Sequence, residues 1–168
     1  MTGAIDSRAY RDAVGRYASG VVVIGATAAD GQRLGFTCQS FHSVSLDPPL
    51  ISISVAQTST TYPMIRETGR FAVSVLGDNH HKVASAFARK GIDRWGGVAH
   101  TGTGTGNPVL TESLMWLDCE IDAEHEAGDH HIVVGRVLEM SQSEAHRGEP
   151  LLFYRGGFHG IASLPATG

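Results

Sequence analysis

Small polar side chains lie between two aromatic residues in residues 35–41, which read Gly-Phe-Thr-Cys-Gln-Ser-Phe. A planar heterocycle with carbonyl groups and ring nitrogens needs such neighbours, because short side chains let backbone N–H groups approach its edge. The segment is therefore a candidate wall for a ring-shaped ligand. A half-exposed strand whose Thr37 and Ser40 hydroxyls face water has the same composition, and binding pockets are few in any protein.

Three consecutive hydroxyl residues, Ser59, Thr60 and Thr61, lie near the start of residues 58–69, which predict a helix. Unpaired N–H groups and the positive dipole end at a helix start attract phosphate. Arg89 and Lys90 lie at the end of another predicted helix and could supply positive charge. Ordinary capping explains the hydroxyls as well, and cations after a helix complement its dipole.

A Gly-Asp turn precedes His130 and His131 between two predicted strands. Such a turn could place one imidazole beside a ligand, although a hairpin with exposed histidines fits equally. Adjacent strand residues face opposite sides, so the two rings would not share a ligand. The chain has 9 histidines, yet neither HExxH nor paired-cysteine spacing occurs, and no metal site is predicted.

Other catalytic signatures are missing from the sequence. It contains no GxSxG nucleophile motif, and residues 102–106 lack the strand and helix that a GxGxxG dinucleotide motif requires. A Rossmann domain and a serine nucleophile are therefore disfavoured.

Composition indicates an ordinary globular enzyme or binding domain. The chain has 168 residues, 42% of them hydrophobic, which suits a single domain over 1–168 with one core. A net charge of −4 without a basic run argues against nucleic-acid and membrane partners. Residues 1–9 do not resemble a secretory signal, and the 2 cysteines are expected to be reduced, which predicts a cytoplasmic protein.

The elements that must position these residues are mostly consecutive strands. Hydrophobic spacing and turn residues predict about six to eight strands and three short helices. The predicted helices are 6–18, 58–69 and 80–89; the predicted strands are 21–26, 34–42, 50–55, 71–76, 114–126, 131–141, 151–154 and 158–161. Helices do not separate successive strands, so the expected fold is a mainly β, antiparallel barrel with peripheral helices. The stretch 91–106 is predicted to be irregular.

The order of these segments resembles the short-chain flavin reductase family, the reductase components of two-component flavin-dependent monooxygenases. The similarity runs over about residues 10–161. It rests on 10–21 (YRDAVGRYASGV), 35–41 (GFTCQSF), 43–50 (SVSLDPPL), 59–61 (STT), 69–76 (GRFAVSVL), 87–90 (FARK), 106–110 (GNPVL), 128–130 (GDH) and 150–156 (PLLFYRG). The chain departs from the family pattern at Tyr17, Gln39 and Ser74, and Gln39 bears on the choice of flavin.

The resemblance implies an FMN-binding split barrel that forms a homodimer with two flavin sites at its interface. It implies that NADH or NADPH reduces FMN or FAD, which then serves a partner monooxygenase. By position, Thr37, Cys38, Gln39 and Ser40 would contact the isoalloxazine edge. The remaining implied roles are Ser54, Val55, Ser59 and Thr60 at the ribityl chain and phosphate, Phe87, Ala88, Arg89 and Lys90 at the phosphate or adenylate, and His130, Tyr154 and Phe158 at the nicotinamide.

Two alternatives to this interpretation remain open. One is a split-barrel enzyme of the pyridoxamine-phosphate-oxidase or deazaflavin-dependent kind, whose motifs we do not find. The other is a flavin-binding electron carrier or storage protein without turnover. Continuous NADH oxidation with free flavin distinguishes a reductase from such a binding module.

Overall fold

Strands dominate the computed structural model, which describes residues 5–91, 93–141 and 148–162. The strands are β1 (Ser19–Gly20), β2 (Val22–Thr27), β3 (Arg33–Cys38), β4 (His42–Leu46), β5 (Pro49–Ala56), β6 (Arg70–Val75), β7 (His100–Gly102), β8 (Pro108–Leu110), β9 (Met115–Ala127), β10 (His130–Met140), β11 (Leu152–Tyr154) and β12 (Gly157–His159). The helices are α1 (Ser7–Val14), α2 (Tyr62–Thr68) and α3 (His81–Phe87), with a 3₁₀ turn at Asp78–His80 before α3.

The main sheet has seven strands in the order β3-β2-β6-β9-β10-β5-β4, and each neighbouring pair is antiparallel. The edge strands β3 and β4 do not pair with each other, so the barrel is open. A second sheet joins β1, β11 and β12, and β7 pairs with β8. The predicted mainly β, antiparallel split barrel is confirmed.

The core lies inside this curved sheet. On β5 the side chains of Ile51, Ile53 and Val55 are buried while the alternating positions are half-exposed. The period-two pattern of residues 50–55 predicted this strand correctly, because successive side chains of a strand point to opposite faces. The alternation leaves Ser54 on the outer face, where it can meet a ligand.

A second apolar cluster attaches α3 and the segment around Trp95 to the outside of the sheet. Gly25 and Gly35 are cross-strand partners on β2 and β3. A Cβ atom at Gly25 would lie 2.8 Å from the Trp95 ring, and one at Gly35 would lie 2.9 Å from the Phe87 ring. Only glycine therefore leaves room for the indole, whose N–H donates to the carbonyl of Leu34 (2.9 Å).

All three predicted helices are shorter in the structure, and the third spans His81–Phe87 instead of 80–89. The first ends at Val14 instead of 18, because Gly15 caps it and the chain then turns into β1. The second begins at Tyr62 instead of 58, because Ser59 forms a turn with Ala56 before the helix.

The strand predictions also need correction. The predicted strand 34–42 ends at Cys38 as β3, and β4 (His42–Leu46) was not predicted beyond its first residue. β7 lies within the stretch expected to be irregular. The described residues form twelve strands where six to eight were expected, because short pairs such as β7 and β8 carry too few residues for a periodic signal. None of the helices in the described ranges is long and apolar enough to cross a membrane.

Candidate functional site

One cleft collects most of the predicted site residues. It has a volume of about 370 Å³ and lies between the ends of β3 and β5, the turn before α2 and the chain after α3; we call it the β3–β5 cleft. Its lining residues are Phe36, Thr37, Cys38, Gln39, Ser40, Ser54, Val55, Ala56, Ser59, Thr60, Thr61, Phe87, Ala88, Lys90, Arg94 and His130. All the predicted site residues are present except Arg89, Tyr154 and Phe158.

The hydroxyl and thiol groups at the end of β3 already have partners within the protein. The Thr37 hydroxyl donates to the carbonyl of Ala84 in α3 (2.6 Å). The Ser40 hydroxyl donates to the carbonyl of Ser54 (3.0 Å) and accepts from its N–H (2.8 Å), which joins the two walls. Cys38 is buried 3.1 Å from the Ser40 oxygen, and burial raises the pKa of its thiol. A ligand would therefore meet mainly backbone groups along this wall.

Gln39 is the exposed residue of this segment. Its amide oxygen accepts a long hydrogen bond from the Ser19 hydroxyl (3.4 Å), which leaves its side chain weakly held. Gln39, where the chain departs from the pattern that it resembles, also lines a neighbouring cavity and so lies between two cavities.

The opposite end of the cleft carries hydroxyls and cations. The N-cap residue of α2 is Thr61, and the Ser59 oxygen, two residues earlier, accepts from the N–H of Tyr62 (3.1 Å), while its own hydrogen stays available. Lys90 and Arg94 face the same space, and the lining contains no carboxylate. In a chain of net charge −4, this end can concentrate an anion.

His130 borders the cleft and His131 does not, as strand alternation predicts. The His130 Nδ1 lies 2.7 Å from Asp129, and this hydrogen bond lowers the pKa of Asp129. The His131 ring is largely buried, with its Nδ1 3.6 Å from the carboxylate of Glu124, which also accepts from the Tyr62 hydroxyl. His131 is therefore part of a half-buried cluster instead of a solvated surface.

Three predicted residues lie outside the β3–β5 cleft lining. Arg89 is exposed beyond the end of α3, and only its backbone carbonyl reaches inward, where it accepts from Arg94. Tyr154 and Phe158 lie on β11 and β12. The Phe158 ring packs edge-on against Phe153 at 5.6 Å between centroids, and Phe153 lines the neighbouring cavity.

That neighbouring cavity, which we call the α1 cavity, was not predicted. Its volume is about 830 Å³, and it shares Gln39 and Ser40 with the β3–β5 cleft. The other lining residues are Arg11, Asp12, Val14, Gly15, Arg16, Tyr17, Ser19, His42, Phe153, Arg155 and Gly156. Arginines beside aromatic rings suit an anionic ligand that also carries a flat ring.

Sequence reasoning also missed Arg94. It lies in the stretch predicted to be irregular, and the signal was its place directly before Trp95, an aromatic residue that anchors its segment. Within the described residues, no group of three or more His, Cys, Asp or Glu side chains could hold a metal ion.

Comparison with known proteins gives a consistent picture. A family model described as "Flavin reductase like domain" matches residues 14–162. A protein named flavin reductase from Pseudomonas putida is 39% identical over 164 residues, covering 98% of this chain and 95% of the relative. The reductase subunit HsaB of a flavin-dependent monooxygenase from Rhodococcus jostii is 39% identical over 158 residues, covering 94% of this chain and 80% of the relative.

A solved structure extends the similarity to three dimensions. The NADH:FAD oxidoreductase SgcE6 of Streptomyces globisporus, solved with NAD and FAD fragments, superposes with a TM-score of 0.86. The two sequences are 31% identical, and the match covers 96% of this chain and 98% of the other.

Proposed function

We propose a function from one premise, that the chain belongs to the flavin reductase like family. It oxidises NADH or NADPH, reduces FMN or FAD by hydride transfer, and supplies the reduced flavin to a partner monooxygenase. The observation that carries this proposal is the β3–β5 cleft, which has a backbone-lined wall at one end and two cations without a carboxylate at the other. A flavin needs both, since its ring offers carbonyls and nitrogens while its tail carries phosphate.

The residues of the cleft suit a flavin in a definite orientation. Ser59, Thr60 and Lys90 would hold the phosphate, together with Arg94. α2 has only seven residues, so hydroxyl and cationic side chains supply this attraction instead of a helix dipole. The ribityl chain would lie along Ser54 and Val55, with Phe87 and Ala88 beside the phosphate or the adenylate.

The ring end of the flavin would then lie at residues 37–40. Because the side chains of Thr37, Cys38 and Ser40 are engaged within the protein, backbone N–H and C=O groups would contact the ring edge there. Gln39 would provide the free side-chain amide. Bound flavin supplies the redox chemistry, and the protein binds, orients and shields the two ligands.

The α1 cavity is our proposed place for the nicotinamide donor. It adjoins the cleft through Gln39 and Ser40, which is where the flavin ring would end. Arg11, Arg16 and Arg155 suit a pyrophosphate. Phe158 does not line the cavity and would position the donor indirectly, by packing against Phe153. Tyr154 would do so through Phe153 and Arg155, its sequence neighbours in the cavity wall.

His130 remains our proposal for the nicotinamide side of the flavin. Its ring borders the cleft, and Asp129 accepts a hydrogen bond from one of its nitrogens, which fixes how the other nitrogen is presented. A positioning role suffices, because the proton that reduced flavin gains can come from water.

A homodimer would complete this site. Val44 and Leu46 on β4 are 54% and 90% exposed, and Leu138 and Met140 on β10 are also largely exposed. β4 and β10 flank β5, so these apolar side chains lie in one region of the sheet. Helix α1 buries none of its residues within this chain, so it too is free to pack on a second copy.

The wider assignments are also proposals. The match over residues 14–162 supports one domain across 1–168. The two buried cysteines, both unbonded, suit a cytoplasmic location. The monooxygenase partner is supported by the similarity to HsaB, a named reductase subunit.

Aerobic NADH oxidation tests the proposed function. NADH absorbance is followed with the purified protein and free FMN or FAD, and then with NADPH. We expect continuous oxidation that requires both protein and flavin. A flavin carrier or storage protein would bind flavin yet leave NADH unconsumed, and that result would overturn the proposal.

A further inference from the structure

The position of Arg94 is set by its neighbour Trp95. The indole of Trp95 is only 3% exposed and lies in the notch made by Gly25 and Gly35, with its N–H bonded to the Leu34 carbonyl. This packing anchors the backbone from which the Arg94 side chain extends into the β3–β5 cleft.

The Arg94 guanidinium connects three walls of the cleft. It donates to the carbonyl of Arg89 through Nε (2.8 Å) and Nη2, to the carbonyl of Gly35 through Nη1 (2.8 Å), and to the Thr61 hydroxyl through Nη1 (3.3 Å). These partners leave one of its five N–H groups uncommitted. Because Thr61 accepts in its bond with Arg94, its own hydrogen remains free to donate.

The charge of Arg94 is not neutralised by these contacts. All its hydrogen-bond partners are neutral oxygens, and it forms no ion pair with any residue in the described ranges. Partial burial lowers the pKa of Arg94, which reflects the cost of holding this cation without a counter-ion. An anion that enters the cleft would compensate that cost.

We infer that Arg94 is the specificity-determining cation that makes this chain bind a phosphorylated flavin in preference to riboflavin. The inference rests on the proposed function and deepens it by assigning the phosphate end of the site. Lys90 is an exposed, flexible charge, whereas Arg94 is held in place before the ligand arrives, so less conformational entropy is lost on binding.

The test compares two flavins that differ only in the phosphate. Flavin fluorescence is titrated with wild type, Arg94→Gln and Arg33→Gln, using FMN and riboflavin. Arg33→Gln is the matched control, because it removes an exposed arginine charge on β3 that lines neither the β3–β5 cleft nor the α1 cavity. We expect Arg94→Gln to weaken FMN binding by roughly tenfold or more, as for a lost charge-assisted hydrogen bond, and to change riboflavin binding by less than about twofold.

The outcomes separate this inference from the proposed function. If Arg94→Gln weakens FMN binding and riboflavin binding equally, Arg94 only holds the walls of the cleft together. If it weakens neither, Arg94 contributes nothing to flavin binding. Either result overturns this inference and leaves the proposed function standing. A wild-type protein that binds neither flavin overturns the proposed function as well. If Arg94→Gln fails to fold, Arg94→Lys is used instead, and the loss of FMN affinity is again compared with the loss of riboflavin affinity. The inference requires the larger loss for FMN, and equal losses overturn it.

Discussion

The Thr37 hydroxyl provides a sharp test, because its geometry separates folding from ligand binding. It donates to the carbonyl of Ala84 (2.6 Å) and thereby ties α3 to β3. Thr37→Val keeps the shape and removes this bond. The Ala84 carbonyl retains a hydrogen bond from Ala88 (3.1 Å), so no buried acceptor is orphaned. We therefore expect the free energy of unfolding to fall by about 1 kcal/mol, the value of one net hydrogen bond.

For a chain of this size, about 1 kcal/mol lowers the Tm by roughly 2–4 °C. Flavin affinity should change by less than about twofold, because the lost hydroxyl faces α3. The matched variant is Thr60→Val, at an exposed position of the cleft. We expect the reverse pattern there, with stability within about 0.5 kcal/mol of wild type and FMN affinity lower by roughly two- to tenfold.

Thermal unfolding and flavin fluorescence titration measure the two quantities on the same preparations. If Thr37→Val loses flavin affinity at unchanged Tm, its hydroxyl contacts the flavin, and the geometric reasoning is refuted. A Thr60→Val protein with wild-type FMN affinity would remove that residue from the proposed phosphate site.

Three further predictions follow from the described contacts. His130→Ala should reduce kcat/KM for NADH roughly ten- to a hundredfold, which corresponds to about 1.4–2.8 kcal/mol of lost positioning, and should leave flavin affinity nearly unchanged. His125→Ala, at an exposed position of β9, serves as the control. If stopped-flow measurements give the same rate of flavin reduction for His130→Ala, His125→Ala and wild type, His130 has only a structural role. Burial lowers the pKa of His80, whose Nδ1 accepts from the Gly77 N–H (3.1 Å), so the unfolded state binds the proton more readily and stability should decrease as pH falls below about 6.5. Urea unfolding at pH 7 and pH 5.5 checks this, and a His80→Asn protein with the same pH slope as wild type would contradict it. Light scattering should give the mass of two chains for wild type, and Leu46→Glu should shift it towards one, whereas a wild-type mass near one chain with flavin bound would refute the dimer.

The spacing of apolar and turn residues predicted those elements that depend on interactions between residues close together in the sequence. Strand β5 was expected within one residue of its bounds because its buried side chains alternate strictly, and the turn before His130 lies where Gly128 adopts a positive φ. The end of α1 was predicted too far along the chain, since apolar spacing continues to Tyr17 although the helix stops at Val14.

Contacts between distant segments explain what the sequence did not reveal. Arg94 reaches the cleft only because Trp95 packs on glycines of β2 and β3, about 60 to 70 positions earlier in the sequence. The α1 cavity likewise needs α1, the segment that joins β3 to β4, and β11 side by side. Thr37 is a case in which the residue type misleads. A threonine there suggested a contact with the ligand, but its hydroxyl donates a hydrogen bond to the Ala84 carbonyl of α3.

The central claim is that this chain holds a nicotinamide donor against a flavin and promotes hydride transfer between them. Anaerobic stopped-flow mixing of the FMN-loaded protein with NADH tests it most directly, since loss of oxidised-flavin absorbance reports the transfer itself. We predict bleaching whose rate saturates with NADH concentration and slows when the transferred hydrogen of NADH is replaced by deuterium. Bleaching no faster than that of free FMN with NADH at the same concentrations would contradict the account.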